Sequence, residues 1–167
     1  MAEQILVLMA DWDDETQKAL SGIYDELEKA GFKGKQTPGI PYHISMSTYT
    51  LDKEAEAVEL IHKLGREFKP FEVDLSHLGM FAGGNILFAA PDRNPELDKL
   101  HAACDLGVSQ KFTWTPHTTI IIDDQEVVHE ALPTVVKNFS SRIGTITKLH
   151  LCAFWPTREI ATVELGG

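Results

Sequence analysis

The chain has 167 residues, of which 43% are hydrophobic and 24% charged, the composition of one ordinary folded domain. Fifteen Lys and Arg stand against 25 Asp and Glu, and the formal net charge of −10 excludes a generally basic surface for long nucleic acid or an anionic membrane. The early apolar run at residues 5–10 is too short to span a bilayer, so we expect no signal peptide, no membrane anchor and a cytoplasmic location.

The first half of the chain predicts strands that alternate with amphipathic helices. After Asp13 and Asp14, either of which could cap a helix, apolar residues spaced i, i+3, i+4 and i+7 indicate a helix that ends at Gly31. Alternating apolar and polar residues indicate a half-exposed strand at 71–76. The predicted elements of this half are strands at residues 5–9, 43–49 and 71–76 and helices that begin after Asp13 or Asp14 and after Asp52.

The second half repeats this order after a Gly83-Gly84-Asn85 turn, which predicts a hairpin. Its predicted elements are strands at residues 86–90, 113–122, 143–154 and 159–165 and helices opened by Asn94 and Asp124. The order strand-helix-strand-helix-strand therefore occurs twice, and we expect an α+β fold. The expected protein is a single bilobal domain, residues 1–167, with pseudo-symmetric β-α-β-α-β lobes at about 1–82 and 83–167. Each lobe is mainly antiparallel sheet flanked by helices, and a groove lies between them.

Two histidines begin the same short pattern, His43-Ile44-Ser45 and His117-Thr118-Thr119. Residues two apart on a strand point to the same face, so each imidazole shares its face with the hydroxyl of Ser45 or Thr119. The spacing predicts two matched imidazole–hydroxyl pairs. The remaining five histidines lack a hydroxyl two residues on and are expected outside the site: His62, His77, His101, His129 and His150.

Acidic residues are missing around both pairs. Residues 32–51 and 106–122 contain no Asp or Glu, although about five would be expected in windows of this length at the composition of the chain. Lys33, Lys35 and Lys111 lie in the same windows, which favours a place for an anion of phosphate size. The alternative is that both strands are simply buried and therefore uncharged.

These residues resemble a known family. Residues 41–46, Pro-Tyr-His-Ile-Ser-Met, and residues 114–120, Trp-Thr-Pro-His-Thr-Thr-Ile, look like the two motifs of the two-histidine (2H) phosphoesterases, which include RNA 2′,3′-cyclic phosphodiesterases of the 2′-5′ RNA ligase type. The resemblance covers nearly the whole chain. It departs from the family pattern at Ser45, where Thr is commoner, and at Thr118, where an apolar residue is usual. We expect Thr118 to affect packing more than mechanism.

The resemblance implies a hydrolase that opens a 2′,3′-cyclic or related phosphodiester on small nucleotides or RNA ends, with a possible reverse 2′-5′ ligase reaction. His43 and His117 would be the catalytic acid and base, which sequence does not distinguish, and Ser45 and Thr119 would bind the phosphate oxygens. No cofactor is implied. The expected partner is a small nucleotide or short RNA end carrying a cyclic phosphate, with no long nucleic acid tract and no membrane, and the protein is expected to be a monomer.

Two other functions remain open at this point. A metal site at His43 and His117 would need further ligands, and neither acid-free window offers a carboxylate or thiol. A non-catalytic nucleotide- or phosphate-binding module could use the same groove without turnover. The two cysteines, Cys104 and Cys152, are expected to be reduced core thiols because they form neither a C-x-x-C pair nor part of a ligand cluster.

Overall fold

A computed structural model of the chain describes residues 3–166. The strands are β1 (Ile5–Trp12), β2 (His43–Thr50), β3 (Phe71–Met80), β4 (Ile86–Pro91), β5 (Thr118–Ile122), β6 (Arg142–Phe154) and β7 (Arg158–Glu164). The helices are α1 (Asp14–Lys29), α2 (Glu54–Glu67), α3 (Pro95–Ala103) and α4 (Gln125–Asn138). No helix in this part of the chain is long and apolar enough to cross a membrane.

Local sequence signals account for the starts of the helices. Asp13 accepts a hydrogen bond from the Thr16 backbone N–H at 2.8 Å and so caps α1. Asn94 accepts from the backbone N–H groups of Glu96 and Leu97, both at 3.0 Å, and Pro95 occupies the first turn of α3. Both helices therefore begin where the sequence predicts them.

All seven strands form one antiparallel sheet with the order β2-β1-β6-β3-β4-β5, and β7 pairs with β6. This confirms the α+β class. The long strand β6 connects the two parts of the sheet, because its first residues pair with β3 and its last residues lie between β1 and β7. Strands from the two halves of the sequence therefore alternate within the sheet. From the first half, β3 lies between β4 and β6 of the second half. From the second half, β6 lies beside β1 of the first half, and β7 pairs with β6.

The sheet carries its main hydrophobic core on the helical face. Alternate residues of β1, such as Leu6 and Leu8, are fully buried there with the inward-facing residues of the helices. On the opposite face, Val7 and Met9 form a small second cluster with Cys152, Phe154 and Ile40. This second face forms the floor of the groove, and both cysteines are free and buried, as expected.

Candidate active site

The structure places three of the four predicted site residues in the lining of one cavity. His43 is the first residue of β2, and Ser45 follows on the same strand. His117 immediately precedes β5, and Thr119 lies on that strand. A cavity of about 690 Å³ is lined by His43, Ser45 and Thr119, whereas His117 is not among its lining residues.

The segment before His117 is a loop, whereas the sequence predicts a strand from residue 113. Pro116 has no N–H to contribute to a ladder. The Thr115 carbonyl pairs with the His117 ring and not with a neighbouring strand, because the His117 Nδ1 lies 2.7 Å from this oxygen. His117 is therefore presented from a loop that runs directly into β5.

The two catalytic candidates have the same ring orientation. His43 Nδ1 lies 2.7 Å from the Pro41 carbonyl, and His117 Nδ1 lies 2.7 Å from the Thr115 carbonyl, in each case two residues earlier in the chain. Because a carbonyl only accepts hydrogen bonds, Nδ1 of each ring carries the proton that is donated. The neutral form of each ring then has its unprotonated nitrogen at Nε2, which can accept a proton.

Aromatic packing fixes the ring of His117. Phe81 contacts it edge-on with ring centroids 4.8 Å apart, and Phe88 lies at 5.1 Å. Phe88 has room because its cross-strand neighbour is Gly79. A Cβ added to Gly79 would lie 2.5 Å from the Phe88 ring. The sequence assigned neither phenylalanine a role in positioning His117, because the three rings come from separate segments. Phe81 follows β3, Phe88 lies on β4 and His117 lies in a loop.

Burial lowers the pKa of both rings. The pKa of His43 falls to about 4 because burial disfavours its charged form, and the positive charges of His150 and His117 lower it further, against the hydrogen bond to Pro41. Burial also lowers the pKa of His117, partly offset by its hydrogen bond to Thr115. Both rings are therefore neutral near pH 7 before a ligand binds, and an anion beside them would raise both pKa values.

Side chains of the second motif bind the free edge of β2. Thr118, which is fully buried, donates its hydroxyl to the His43 carbonyl at 3.0 Å and accepts the Trp12 indole N–H at 2.8 Å. Trp114 donates its indole N–H to the Ser45 carbonyl at 2.9 Å. The hydroxyl that the sequence marks as a departure from the family pattern therefore makes two hydrogen bonds, of which the one from Trp12 is buried.

Two helical side chains support this arrangement, and sequence periodicity gave no sign of either. Gln17 of α1 accepts from the Tyr42 N–H at 2.8 Å and donates to the Tyr42 carbonyl at 2.7 Å, which holds the residue before His43. His101 of α3 stacks on Trp114 with ring centroids 3.8 Å apart and planes 4° apart. The loops that carry both motifs are thus anchored to helices.

The lysines predicted to attract an anion differ in their surroundings. Lys33 and Lys35 both line the cavity. Lys35 Nζ lies 2.7 Å from Asp124 and 3.4 Å from Asp123, two carboxylates just outside the second acid-free window. Its charge is therefore balanced locally. Lys111 lies against Phe112 instead, 5.3 Å from the ring centroid.

The carboxyl of Asp11 also lies near the motifs, although both sequence windows around them are free of acid. Asp11 on β1 pairs across the sheet with His43 of β2 and Lys148 of β6. Its side chain is 7% exposed, and its Oδ2 lies 3.6 Å from Nδ1 of the buried His150. A count of acidic residues along the chain could not detect Asp11, because strand pairing brings it beside His43. Burial raises the pKa of Asp11 to about 7, so the carboxyl is mostly protonated and uncharged below that pH.

Aromatic side chains extend the cavity away from the histidines. Tyr42 and Trp155 both line it, and Trp155 is 65% exposed, with its indole N–H donated to the Thr37 hydroxyl at 3.1 Å. Between residues 3 and 166, no group of three or more His, Cys, Asp or Glu side chains is arranged to hold a metal ion.

Solved structures share this fold. A crystal structure described as a phosphoesterase matches with a TM-score of 0.67 and 16% identity over 98% of this chain and 99% of that chain. LigT from E. coli, complexed with 3′-AMP, gives a TM-score of 0.67 and 15% identity over 99% and 100%. A protein of Thermus thermophilus, TT0787, gives 0.65 and 15% over 98% of each chain. At these identities the matches show the fold, and no curated protein matches the sequence.

The antiparallel sheet with helices on one face is thus the fold of the phosphoesterase and LigT structures. Residues 13–153 match the family model of the 2′-5′ RNA ligase superfamily, which confirms the resemblance found in the sequence. The chain belongs to the 2′-5′ RNA ligase superfamily. This membership supports a phosphodiesterase-type activity.

Proposed function

We propose that the chain is a metal-independent phosphodiesterase that opens 2′,3′-cyclic phosphodiesters on small nucleotides or short RNA ends. The observation that carries the proposal is the matched orientation of His43 and His117, each with Nδ1–H bound to a carbonyl two residues earlier. In this orientation Nε2 is the nitrogen of each ring that is left for proton transfer to or from a ligand, which supports acid–base catalysis by the two imidazoles.

The lower pKa supports His43 as the general base and His117 as the general acid. His43 Nε2 takes a proton from water as the water oxygen attacks phosphorus. The bond from phosphorus to one ribose oxygen breaks, and His117 donates its Nε2 proton to that oxygen, leaving a ribose phosphomonoester. Because the burial of His117 lowers its pKa, the negative phosphate supplies the charge that keeps this ring protonated in the complex.

Ser45 and Thr119 are proposed to bind the phosphate. Both line the cavity with His43. Their hydroxyls can donate hydrogen bonds to the non-bridging phosphate oxygens, where negative charge builds up in the transition state. Crystal structures of LigT hold 3′-AMP, ATP, NADP+ and phosphate, and this supports a small nucleotide as the ligand of the present groove.

The test is turnover of 2′,3′-cyclic mononucleotides by the purified protein in excess EDTA. We expect turnover in EDTA and a loss of at least about 100-fold in His43→Ala and in His117→Ala, the usual scale for a positioned acid or base. His62→Ala is the matched control, because His62 is an exposed histidine on α2.

Each other outcome has a distinct meaning. Activity that requires an added metal ion would replace the proposal by a metal site. Nucleotide binding without turnover would favour the non-catalytic binding module. Wild-type turnover in either histidine variant would refute the two-histidine mechanism.

A further inference from the structure

The two histidine strands are joined through side chains and not through a backbone ladder. β2 and β5 stand at opposite ends of the strand order, yet the segment that leads into β5 follows the free edge of β2. Along this edge, Thr118 donates to the carbonyl of His43, and Trp114 donates to the carbonyl of Ser45. Residues two apart on a strand turn their carbonyls to the same edge, so these two acceptors would otherwise be unpaired.

A third side chain continues the row. Gln110 donates to the Thr48 carbonyl at 2.9 Å and accepts from the Thr48 backbone N–H at 3.1 Å. We call Thr118, Trp114 and Gln110 the edge seam. A backbone ladder would hold two strands about 4.8 Å apart, whereas side-chain donors add their own length to that separation. The seam therefore pairs the edge of β2 without a backbone ladder to the segment that leads into β5.

Thr118 links the two catalytic candidates directly. It follows His117 directly in the chain, and its hydroxyl bonds the carbonyl of His43 itself. The Trp12 N–H occupies an acceptor site of the same hydroxyl, which directs the hydroxyl proton to His43. Thr118 and Trp12 are 0% and 2% exposed, so the Thr118 hydroxyl and the indole N–H are shielded from water.

We propose that Thr118 is a positioning residue that sets the separation of His43 and His117, so that one phosphate contacts both rings. The inference rests on the proposed function, but the separation can be measured without turnover. A displacement of about 1 Å in a catalytic group can cost about 100-fold in rate, so loss of this hydrogen bond should reduce kcat by about 10- to 100-fold.

The experiment compares Thr118→Val, which keeps the shape and removes the hydroxyl, with Thr118→Ser, which keeps the hydroxyl. Inorganic phosphate is the probe, and the Nε2 signals of the two histidines are followed by NMR at pH 6. In the wild type and in Thr118→Ser, both rings should report one common Kd. In Thr118→Val, we expect the Kd to rise at least about tenfold or the two rings to report different values, together with the loss in kcat.

The matched control is Thr16→Val, because Thr16 is also buried, at 1% exposure, and its hydroxyl has no partner in residues 3–166. A common, wild-type Kd together with a wild-type kcat in Thr118→Val would overturn the inference, as would a loss of kcat with unchanged phosphate binding by both rings. If Thr118→Val does not fold, Thr118→Ala, which also removes the hydroxyl and needs less space, decides by the same criteria. If the wild type binds phosphate through both rings but turns over no cyclic nucleotide, the proposed function fails while the positioning role is still tested.

Discussion

The buried carboxyl of Asp11 should make the stability of the folded protein fall as pH rises. Burial raises its pKa from 3.8 to about 7, the charge of Lys148 opposes this shift, and the charge of Glu159 adds to it. The folded protein therefore holds a proton on Asp11 at pH values where the unfolded chain has lost it. Stability linked to this proton is fully present below pH 3.8 and is lost as pH rises to about 7.

The magnitude follows from the shift of roughly three pKa units. At about 1.36 kcal/mol per unit, the total loss is about 4 kcal/mol, of which about 2.5 kcal/mol falls between pH 5 and pH 8. Asp11→Asn removes the titrating group and nearly keeps its shape. The stability of the variant relative to the wild type should therefore rise by about 2.5 kcal/mol between these two pH values.

The assay is urea unfolding of both proteins at pH 5, 6.5 and 8, with the difference in unfolding free energy taken at each pH. Taking this difference removes the contributions of titrating groups that lie far from Asp11 and are the same in both proteins. Asp52→Asn, which changes an exposed carboxylate, is the matched control and should leave the pH dependence unaltered. An Asp11→Asn difference that is the same at pH 5 and pH 8 would show that Asp11 is ionised in the folded protein and refute the reasoning.

Four further outcomes are expected. The kcat/KM profile should be bell-shaped with its optimum between about pH 4 and 6.5, because both catalytic rings have lowered pKa values, and a monotonic curve would contradict the pair. Ser45→Ala and Thr119→Ala should each lower kcat by about 10- to 100-fold, with Thr119→Ser milder; equal damage from Ser and Ala at this position would indicate packing. Gly79→Ala should displace the Phe88 ring and reduce kcat, whereas unchanged turnover would show that this ring does not position His117. Cyclic mononucleotides should be turned over at least as efficiently as long RNA with the same cyclic end at moderate salt, and a large preference for RNA would reveal a binding track.

The elements that the sequence predicted well are those with local signals. Apolar periodicity and the capping residues Asp13 and Asn94 depend on neighbours within one helical turn, so they can be read directly from the chain. The two His-x-Ser/Thr motifs are likewise local, because a strand places residues two apart on one face. The prediction of a strand from residue 113 was wrong for a reason that is also local, because Pro116 has no N–H to donate to a strand ladder.

The features that the sequence did not predict depend on strand pairing. Asp11 lies beside His43 only because β1 pairs with β2, although 32 positions separate the two residues in the chain. Asp123 and Asp124 reach Lys35 through a loop contact that no window along the chain could register. The absence of acidic residues along the chain therefore indicated the two motifs, but it did not reveal the carboxylates that strand pairing and loop contacts bring near them.

The lowered pKa values and the acidic composition favour a small anion over a polyanion in the proposed reaction. Near neutral pH, the His43 and His117 rings are uncharged and the charge of Lys35 is balanced by two carboxylates, so these three side chains give the free groove little positive charge beyond that of Lys33 to attract a distant chain of phosphates. A net charge of −10 repels such a chain further. A single phosphate that reaches the groove, however, raises the pKa of both imidazoles at close range, and His117 can then take up the proton it must donate. Under the proposed mechanism, the phosphate of the substrate thus induces the positive charge on His117, so one phosphate at the site is sufficient and no extended contact with nucleic acid is needed.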